Sequence, residues 1–558
     1  MDLNSPREEN RKIPEQVPEQ VLEQVLKQVP EQVLEQVLEQ VPEKVLEQVP
    51  EQGPEQASEQ VPEQVLEQTP KQFWEKILKQ VFGQVPAQYL TQVQTLQQNL
   101  QQVQAPIKIS EQSLEQKLAQ EQKQALEKVL EKDGKREKLN DIYWVGSWGR
   151  PLVRALTEII VTLPPIYRVG LLNQTLRQIT HLSKGGTKLR LRFQSQSQNS
   201  ETSQVVVPIA EVRVARQALA QAIVPGTDTL VTFNNGQIRF EIYPGGEVIS
   251  DPINFVTQFG ENLAVSMYCN DPSGPPPGSY NNLITEYLAN PPGNLTSAIT
   301  FDLDPTSPQI QGPLWLSGVD VYDDGDRRDK CKKDEEGAEQ ETVICFGDSI
   351  TAGATSTRNA YLDYPSQLSN RFNNELRDRK IGVLNEGISG NQISSGGIIP
   401  LGIPPIPIPF PIFGASFLER MNRDVFNQTN VKFVIILGGI NDIALSDRTA
   451  NQVINGLKQI FLQIKANNPE TKVFFGTITP FKDNTFGTWT IEREAVRQEV
   501  NEFILSYRPI DGVFDFSRTL QDPIEPLRIR PELTNDGLHP NDNGYKAMAF
   551  TVNLKKFR

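Results

Sequence analysis

Histidine and cysteine are the scarce residues of this chain. Its 558 residues include two histidines, His181 and His539. Any reaction that needs an imidazole base has only these two to draw on. Three cysteines, Cys269, Cys331 and Cys345, are too few for a disulfide framework. Cys345 lies inside an apolar run and reads as a small core residue. No apolar stretch reaches the ~20 residues needed to span a bilayer. Gly396–Phe417 comes nearest, and its prolines argue against a membrane helix. The segment Met1–Lys12 is polar and charged with no apolar h-region, so no signal peptide is expected and a cytoplasmic address is the default. Basic residues are also in deficit. The 55 Lys and Arg stand against 69 Asp and Glu, a net charge of −14. That argues against nucleic acid as the main partner, because phosphate binding needs a basic surface. Hydrophobic residues make up only 37 % of the chain, so part of it is expected not to pack. The length calls for two or three domains.

Composition divides the chain into four stretches. Residues 1–140 are a low-complexity extension. From Pro14 to Lys71 the tetrapeptides Glu-Gln-Val-Leu and Glu-Gln-Val-Pro repeat. A period of four drifts against the ~3.6 residues of a helical turn, and the prolines cut the pattern into short pieces. Disorder or fraying helix is expected there, acting as a spacer, an interaction tail or a repeat expansion without a role. Better helices follow. Phe73, Trp74, Ile77, Leu78, Val81 and Phe82 recur at helical spacing, and Tyr89, Val93, Leu96, Leu100 and Val103 alternate four and three. These stripes suit self-association or, by a small preference, packing on the chain's own domains.

Residues 141–322 read as an all-β sandwich. Lys188–Phe193 alternates apolar and charged residues, Gln204–Val214 is rich in valine, and Asn234-Asn-Gly236 is a hairpin signal between Val231–Phe233 and Gln237–Arg239. Glu241–Ile249, Leu263–Tyr268 and Ala298–Leu303 add strands. His181 precedes the first clear strand and reads as a structural or surface residue. Residues 323–341 are dense in charge and read as a solvated linker.

Residues 342–558 alternate strand and helix. Strands are expected at Val343–Phe346, Ile381–Asn385, Phe433–Leu437, Val473–Thr477 and Val513–Phe516. Helices are expected near Tyr364–Arg379, Thr449–Asn467, Ile491–Tyr507 and Asn543–Lys555. This is the pattern of a doubly wound α/β parallel sheet, whose chemistry gathers at the carboxyl ends of the strands. Ser349 stands there, just past the run Val343-Ile-Cys-Phe346. A serine hydroxyl needs a base, and the base needs an orienting acceptor. Asp536-Gly-Leu-His539-Pro540 supplies both in one turn. Donors for an oxyanion are available from Asn385-Glu-Gly-Ile-Ser-Gly-Asn391 and Leu437-Gly-Gly-Ile-Asn-Asp442, each after a strand.

These four elements together resemble the SGNH (GDSL-type) hydrolase family. Gly347-Asp-Ser-Ile350 is similar to its first block, Ser389-Gly390-Asn391 to its second, Gly439-Ile-Asn441-Asp442 to its third, and Asp536-Gly-Leu-His539-Pro540 to its fifth. The resemblance implies a flavodoxin-like sheet and a serine esterase or acylhydrolase working through an acyl-serine intermediate. Ser349 would be the nucleophile, His539 the general base and Asp536 its orienter. The N–H groups of Ser349 and Gly390 with the Asn441 amide would form the oxyanion hole. No metal or organic cofactor is implied. The substrate would be a small acyl ester, a lipid or an acylated carbohydrate. Trp144–Gly149, Asn173–Arg177 and Ser317–Val321 are similar to segments of a two-domain bacterial subset, whose members are commonly exported. The absence of a second glycine after Ser349 argues against the Gly-x-Ser-x-Gly elbow of ordinary α/β-hydrolases. The uncharged run Ile398–Phe413, with Ile406, Ile408 and Phe410, is expected either to wall an acyl pocket or to pack as a surface loop. Two alternatives remain: a carbohydrate O-deacetylase of the same mechanism, or a non-catalytic scaffold organised by the N-terminal repeats. The complete set of Ser349, Gly390, Asn441, Asp536 and His539 argues against the scaffold.

Overall fold

A computed structural model describes residues 143–153, 165–196, 206–279, 283–305, 310–323, 340–377, 379–394 and 414–558. The tetrapeptide repeat, the helical stripes, most of the charged stretch and the run holding Ile406, Ile408 and Phe410 lie outside the described residues.

The antiparallel part opens with β1 (Trp144–Gly149), helix α1 (Ile166–Val169), β2 (Gln174–His181), β3 (Lys188–Gln194), β4 (Val207–Ile209), β5 (Glu211–Leu219), β6 (Ala222–Ile223) and β7 (Thr229–Leu230). It continues through β8 (Phe240–Ile242), β9 (Glu247–Ile249), β10 (Ile253–Asn254), β11 (Asn262–Cys269), β12 (Ile284–Asn290), β13 (Asp302–Leu303), β14 (Ile310–Gly312) and β15 (Leu316–Tyr322). One sheet runs β1-β15-β3-β10 with β9 beside β3. Another runs β13-β12-β2-β11-β5-β6, with β14 on β12 and β7 on β5. Leu189, Leu191 and Phe193 of β3 meet Val212 and Val214 of β5 and Val265 and Met267 of β11 in one shared core.

The parallel part is built on β16 (Gln340–Gly347), buried along its whole length. Successive side chains of a strand face opposite ways, so an apolar run this dense must be covered on both faces. Val343 and Cys345 join one core with Tyr364, Leu368, Tyr545 and Met548. Ile344 and Phe346 join the other with Phe417, Val453, Leu457 and Val500. After β16 come α2 (Ser349–Ala352), α3 (Tyr364–Glu375), β17 (Lys380–Gly387), α4 (Phe417–Met421), a π-helical turn (Asn422–Phe426) and β18 (Val431–Leu437). Next are α5 (Ile440–Ser446), α6 (Ala450–Asn467), β19 (Lys472–Gly476), α7 (Ile491–Ser506), β20 (Gly512–Phe514), α8 (Phe516–Leu520) and α9 (Asp542–Thr551). The sheet order is β17-β16-β18-β19-β20, all parallel, which is the flavodoxin-like order. Helix α6 shows how the sequence writes such an element. Val453, Leu457, Ile460 and Ile464 fall on one buried stripe. Thr449 and Gln452 form a capping box at its start, and Pro469 follows its end.

β1 packs closely on β17. A Cβ on Gly382 would lie 2.0 Å from the carbonyl oxygen of Gly146, so no larger residue fits there. Gly146 N–H donates to Thr342 Oγ1 at 3.0 Å, and Val383 N–H of the edge strand donates to Ser183 Oγ at 2.8 Å. Asp320 ties the same junction. It accepts from Arg190 at 2.8 Å, Arg192 at 3.0 Å and Thr429 at 2.7 Å. Burial alone would raise its pKa, but the two guanidinium groups hold it below the usual carboxylate value.

Several expectations change. His181 does not precede the strands but ends β2, where Nδ1 meets Asn262 Oδ1 at 2.7 Å and the ring stacks on Tyr361 at 3.9 Å. The hairpin around Asn234–Gly236 has positive φ at all three residues, yet its arms make one bridge, Phe233 to Gln237, and no strands. Glu241–Ile249 is interrupted between β8 and β9, and Ala298–Leu303 shrinks to β13. Phe516 starts α8, capped by Asp515, instead of ending a strand. The helix from Tyr364 stops at Glu375.

Candidate active site

Strand register brings three loops to one level. Gly347 pairs with Gly387 on one side and Leu437 on the other. Ser349 lies two residues past that level, Gly390 three residues past Gly387, and Asn441 four past Leu437. A Cβ on Gly347 would strike Thr351 Oγ1 at 2.0 Å and Leu437 O at 2.8 Å, so the chain turns here only with glycine. Asp348 caps α2 by accepting from Ile350 N–H at 3.0 Å, and Ser349 becomes the first residue of that helix.

His539 arrives from the far end of the chain. Asp536 folds its turn: Oδ1 accepts the N–H groups of Leu538 at 2.9 Å and His539 at 2.7 Å. Its Oδ2 is then free to meet His539 Nδ1 at 2.7 Å. Thr534 Oγ1 closes the turn, accepting from Gly537 N–H at 2.9 Å and donating to His539 O at 2.7 Å. The turn is anchored beside α2 by Thr355 Oγ1 donating to Pro540 O at 2.9 Å and by Tyr545 O–H donating to Ala354 O at 2.7 Å. His539 Nε2 stands 2.9 Å from Ser349 Oγ, 190 residues away in sequence. Burial works to raise the Asp536 pKa, but hydrogen bonds from the His539 ring and from the N–H groups of His539 and Leu538 hold it below the usual carboxylate range. An ionised carboxylate can only accept, so Nδ1 carries a proton and Nε2 is left to accept from the serine hydroxyl. Such an arrangement can draw a proton from Ser349 when its oxygen attacks an electrophile.

Gly390 adopts φ +72, which favours glycine. Asn441 stands in the first turn of α5 and donates Nδ2 to Asn391 O at 3.1 Å, leaving its second amide hydrogen for another acceptor. Asn391 is itself held, donating to Ala415 O at 2.8 Å and accepting from Arg420 at 2.9 Å.

Two buried carboxyls lie beneath the site, and the sequence reading gave them no part. Burial pushes Asp348 up to about 7, and its Oδ2 has no hydrogen-bond partner among the described residues. Burial pushes Asp442 to about 6, although it accepts Ile393 N–H at 2.9 Å. Their places inside Gly347-Asp-Ser and Ile440-Asn-Asp were the available signal. Thr534 and Asn484, which shape the His539 turn and the loop beside it, carried none. Ile406, Ile408 and Phe410 fall outside the described residues, so no position is assigned to them.

Residues 345–547 match the GDSL-like lipase/acylhydrolase family. No curated protein matches the chain. Solved structures with a similar portion include a GDSL-like lipase from Bacteroides thetaiotaomicron, 19 % identical over 39 % of this chain and 88 % of that one, with a TM-score of 0.29. A carbohydrate acetylesterase from Sinorhizobium meliloti is 17 % identical over 38 % of this chain and 95 % of its own, with a TM-score of 0.29. An aryl esterase from M. smegmatis is 16 % identical over 38 % and 95 %, also with a TM-score of 0.29. Among the described residues no helix is long and apolar enough to cross a membrane. Over residues 345–547, then, this chain carries a domain of the GDSL-like lipase/acylhydrolase family.

Proposed function

We propose that this protein is a serine acylhydrolase that cleaves carboxylic esters through an acyl-serine intermediate. The observation that carries the reading is the unbroken hydrogen-bonded line from Ser349 Oγ through the His539 ring to the Asp536 carboxylate, with steps of 2.9 Å and 2.7 Å. Ser349 Oγ attacks the ester carbonyl carbon while His539 Nε2 takes its proton. Asp536 stabilises the imidazolium and keeps the ring oriented. The carbonyl oxygen becomes an oxyanion. Its donors are the N–H groups of Ser349 and Gly390 and the free amide hydrogen of Asn441, each displayed from its own strand end. The tetrahedral species collapses, the C–O bond to the alcohol breaks, and His539 returns the proton to the leaving oxygen. Water then attacks the acyl-serine with His539 again as base, releasing the acid and restoring Ser349.

Turnover of p-nitrophenyl esters, wild type beside Ser349→Ala, tests this. The variant is expected to lose about 10^4-fold or more in kcat. Equal turnover by the two proteins would remove Ser349 from the reaction.

A further inference from the structure

Phe486 is a large apolar side chain left 51 % exposed. One exposed phenylalanine is ordinary on a protein surface. This one meets the His539 ring edge to face, with centroids 5.9 Å apart and planes at 90°. It is also held in place. Asn484 is buried at the root of its loop, donating to Phe481 O at 2.7 Å and accepting from Phe486 N–H at 3.1 Å and Thr488 Oγ1 at 3.2 Å. Thr485 N–H donates to Asp536 O at 2.8 Å. A Cβ on Gly537 would lie 2.8 Å from Asn484 Cα, so the loop and the Asp536–His539 turn touch backbone to backbone. The backbone that carries Phe486 is therefore tied to the Asp536–His539 turn.

Proton transfer decides what must lie beside the His539 ring. His539 Nδ1 is committed to Asp536, so only Nε2 can return a proton to the alcohol. The leaving oxygen must then come within about 3 Å of Nε2, and the carbon atoms bonded to it lie beside the imidazole. The acyl carbonyl oxygen belongs to the donors of Ser349, Gly390 and Asn441 and leaves the His539 side to the alcohol. A flat group on the alcohol packs at about 3.5–4 Å from an aromatic face, within reach of a ring centred where Phe486 is.

We propose that Phe486 walls the subsite for the alcohol part of the ester, and that this subsite favours alcohols with a flat apolar face, an aromatic ring or the C–H face of a pyranose. The inference rests on the acylhydrolase reading of Ser349 and His539. An aromatic pair contributes selectivity on the order of tenfold.

The test uses the full chain and one acyl group, acetate, on three alcohols: phenyl acetate, an O-acetylated methyl xyloside and ethyl acetate. Phe486→Ala is expected to lower kcat/KM for the ring esters about tenfold more than for ethyl acetate, with Phe486→Trp restoring the preference. The loss should fall on acylation. Deacylation of the acetyl-enzyme, followed by partition to hydroxylamine, involves no alcohol and should not carry it. A loss confined to phenyl acetate identifies an aryl subsite, and one confined to the xyloside a sugar subsite. Equal losses on all three esters, or a matching loss in deacylation, would overturn the proposal and make Phe486 a support for His539. If wild type hydrolyses no ester and a fluorophosphonate does not label Ser349, the acylhydrolase reading itself fails and this one with it.

Discussion

Replacing Asp348 with asparagine isolates one carboxyl at the base of the site. Burial pushes its pKa up to about 7, one oxygen accepts the Ile350 N–H, and the other has no hydrogen-bond partner among the described residues. An unfolded aspartate ionises near ~3.9. Between these values the unfolded chain has released its proton while the folded chain still holds it. Folding stability from this group is therefore complete below the unfolded pKa and falls as pH rises, by about 1.4 kcal/mol per unit, until the folded pKa is passed. Roughly three units amount to about 4 kcal/mol, all lost by pH ~7. Asparagine keeps the shape and the oxygen that caps Ile350 but cannot ionise. Asp348→Asn should match wild type near pH ~4 and exceed it by up to about 4 kcal/mol near pH ~8. Guanidinium unfolding of both proteins across that range, followed by near-ultraviolet circular dichroism, measures the difference. Parallel pH profiles, or a variant less stable than wild type at pH ~8, would show that Asp348 is not held protonated by burial.

Asp536→Asn leaves a side chain that can present its amide to Nδ1 and so favour the wrong tautomer. It should lower kcat about 10^4-fold in ester hydrolysis, with KM little changed. Asp320→Ala leaves Arg190 and Arg192 without their shared buried carboxylate and should destabilise the fold by about 3–5 kcal/mol, read from the unfolding midpoint. Replacing Ile406, Ile408 and Phe410 together with serine should weaken hydrolysis of long-acyl p-nitrophenyl esters more than of the acetate. Equal loss at every chain length would exclude an acyl wall there.

The parallel sheet was legible because its strands are short apolar runs ended by Gly or Asp, buried on both faces, and alternating with amphipathic helices such as Ala450–Asn467. The antiparallel part was harder, and β2 shows why. It is buried almost throughout, yet it carries Thr175, Arg177, Gln178 and Thr180. The Arg177 guanidinium reaches Ser266 at 2.7 Å and the carbonyls of Gln221 at 2.5 Å and Ala298 at 2.8 Å, partners 44 to 121 residues away. Nothing local in the sequence announces such satisfaction, so the polar residues hid the strand. Helix α5 was missed for the opposite reason. Gly438 and Gly439 precede it, and glycine pairs read as loop, whereas Gly439 at φ +111 is the turn that starts the helix. At the site, Ser349 could be picked out because it follows a buried apolar run, and Asp536 and His539 because a carboxylate three residues before an imidazole can share one turn with it; the structure brings the three together. Phe486 could not, because its meaning lies in a ring contact between loops 53 residues apart.

The proposed reaction stands on an acyl-serine at residue 349. Rapid quenching of wild type with excess p-nitrophenyl acetate, followed by proteolysis and mass spectrometry, tests it most directly. One acetyl group is expected on the peptide containing Ser349, formed as fast as the p-nitrophenolate burst and absent from Ser349→Ala. Acetylation elsewhere with Ser349 unmodified, while turnover continues, would contradict it.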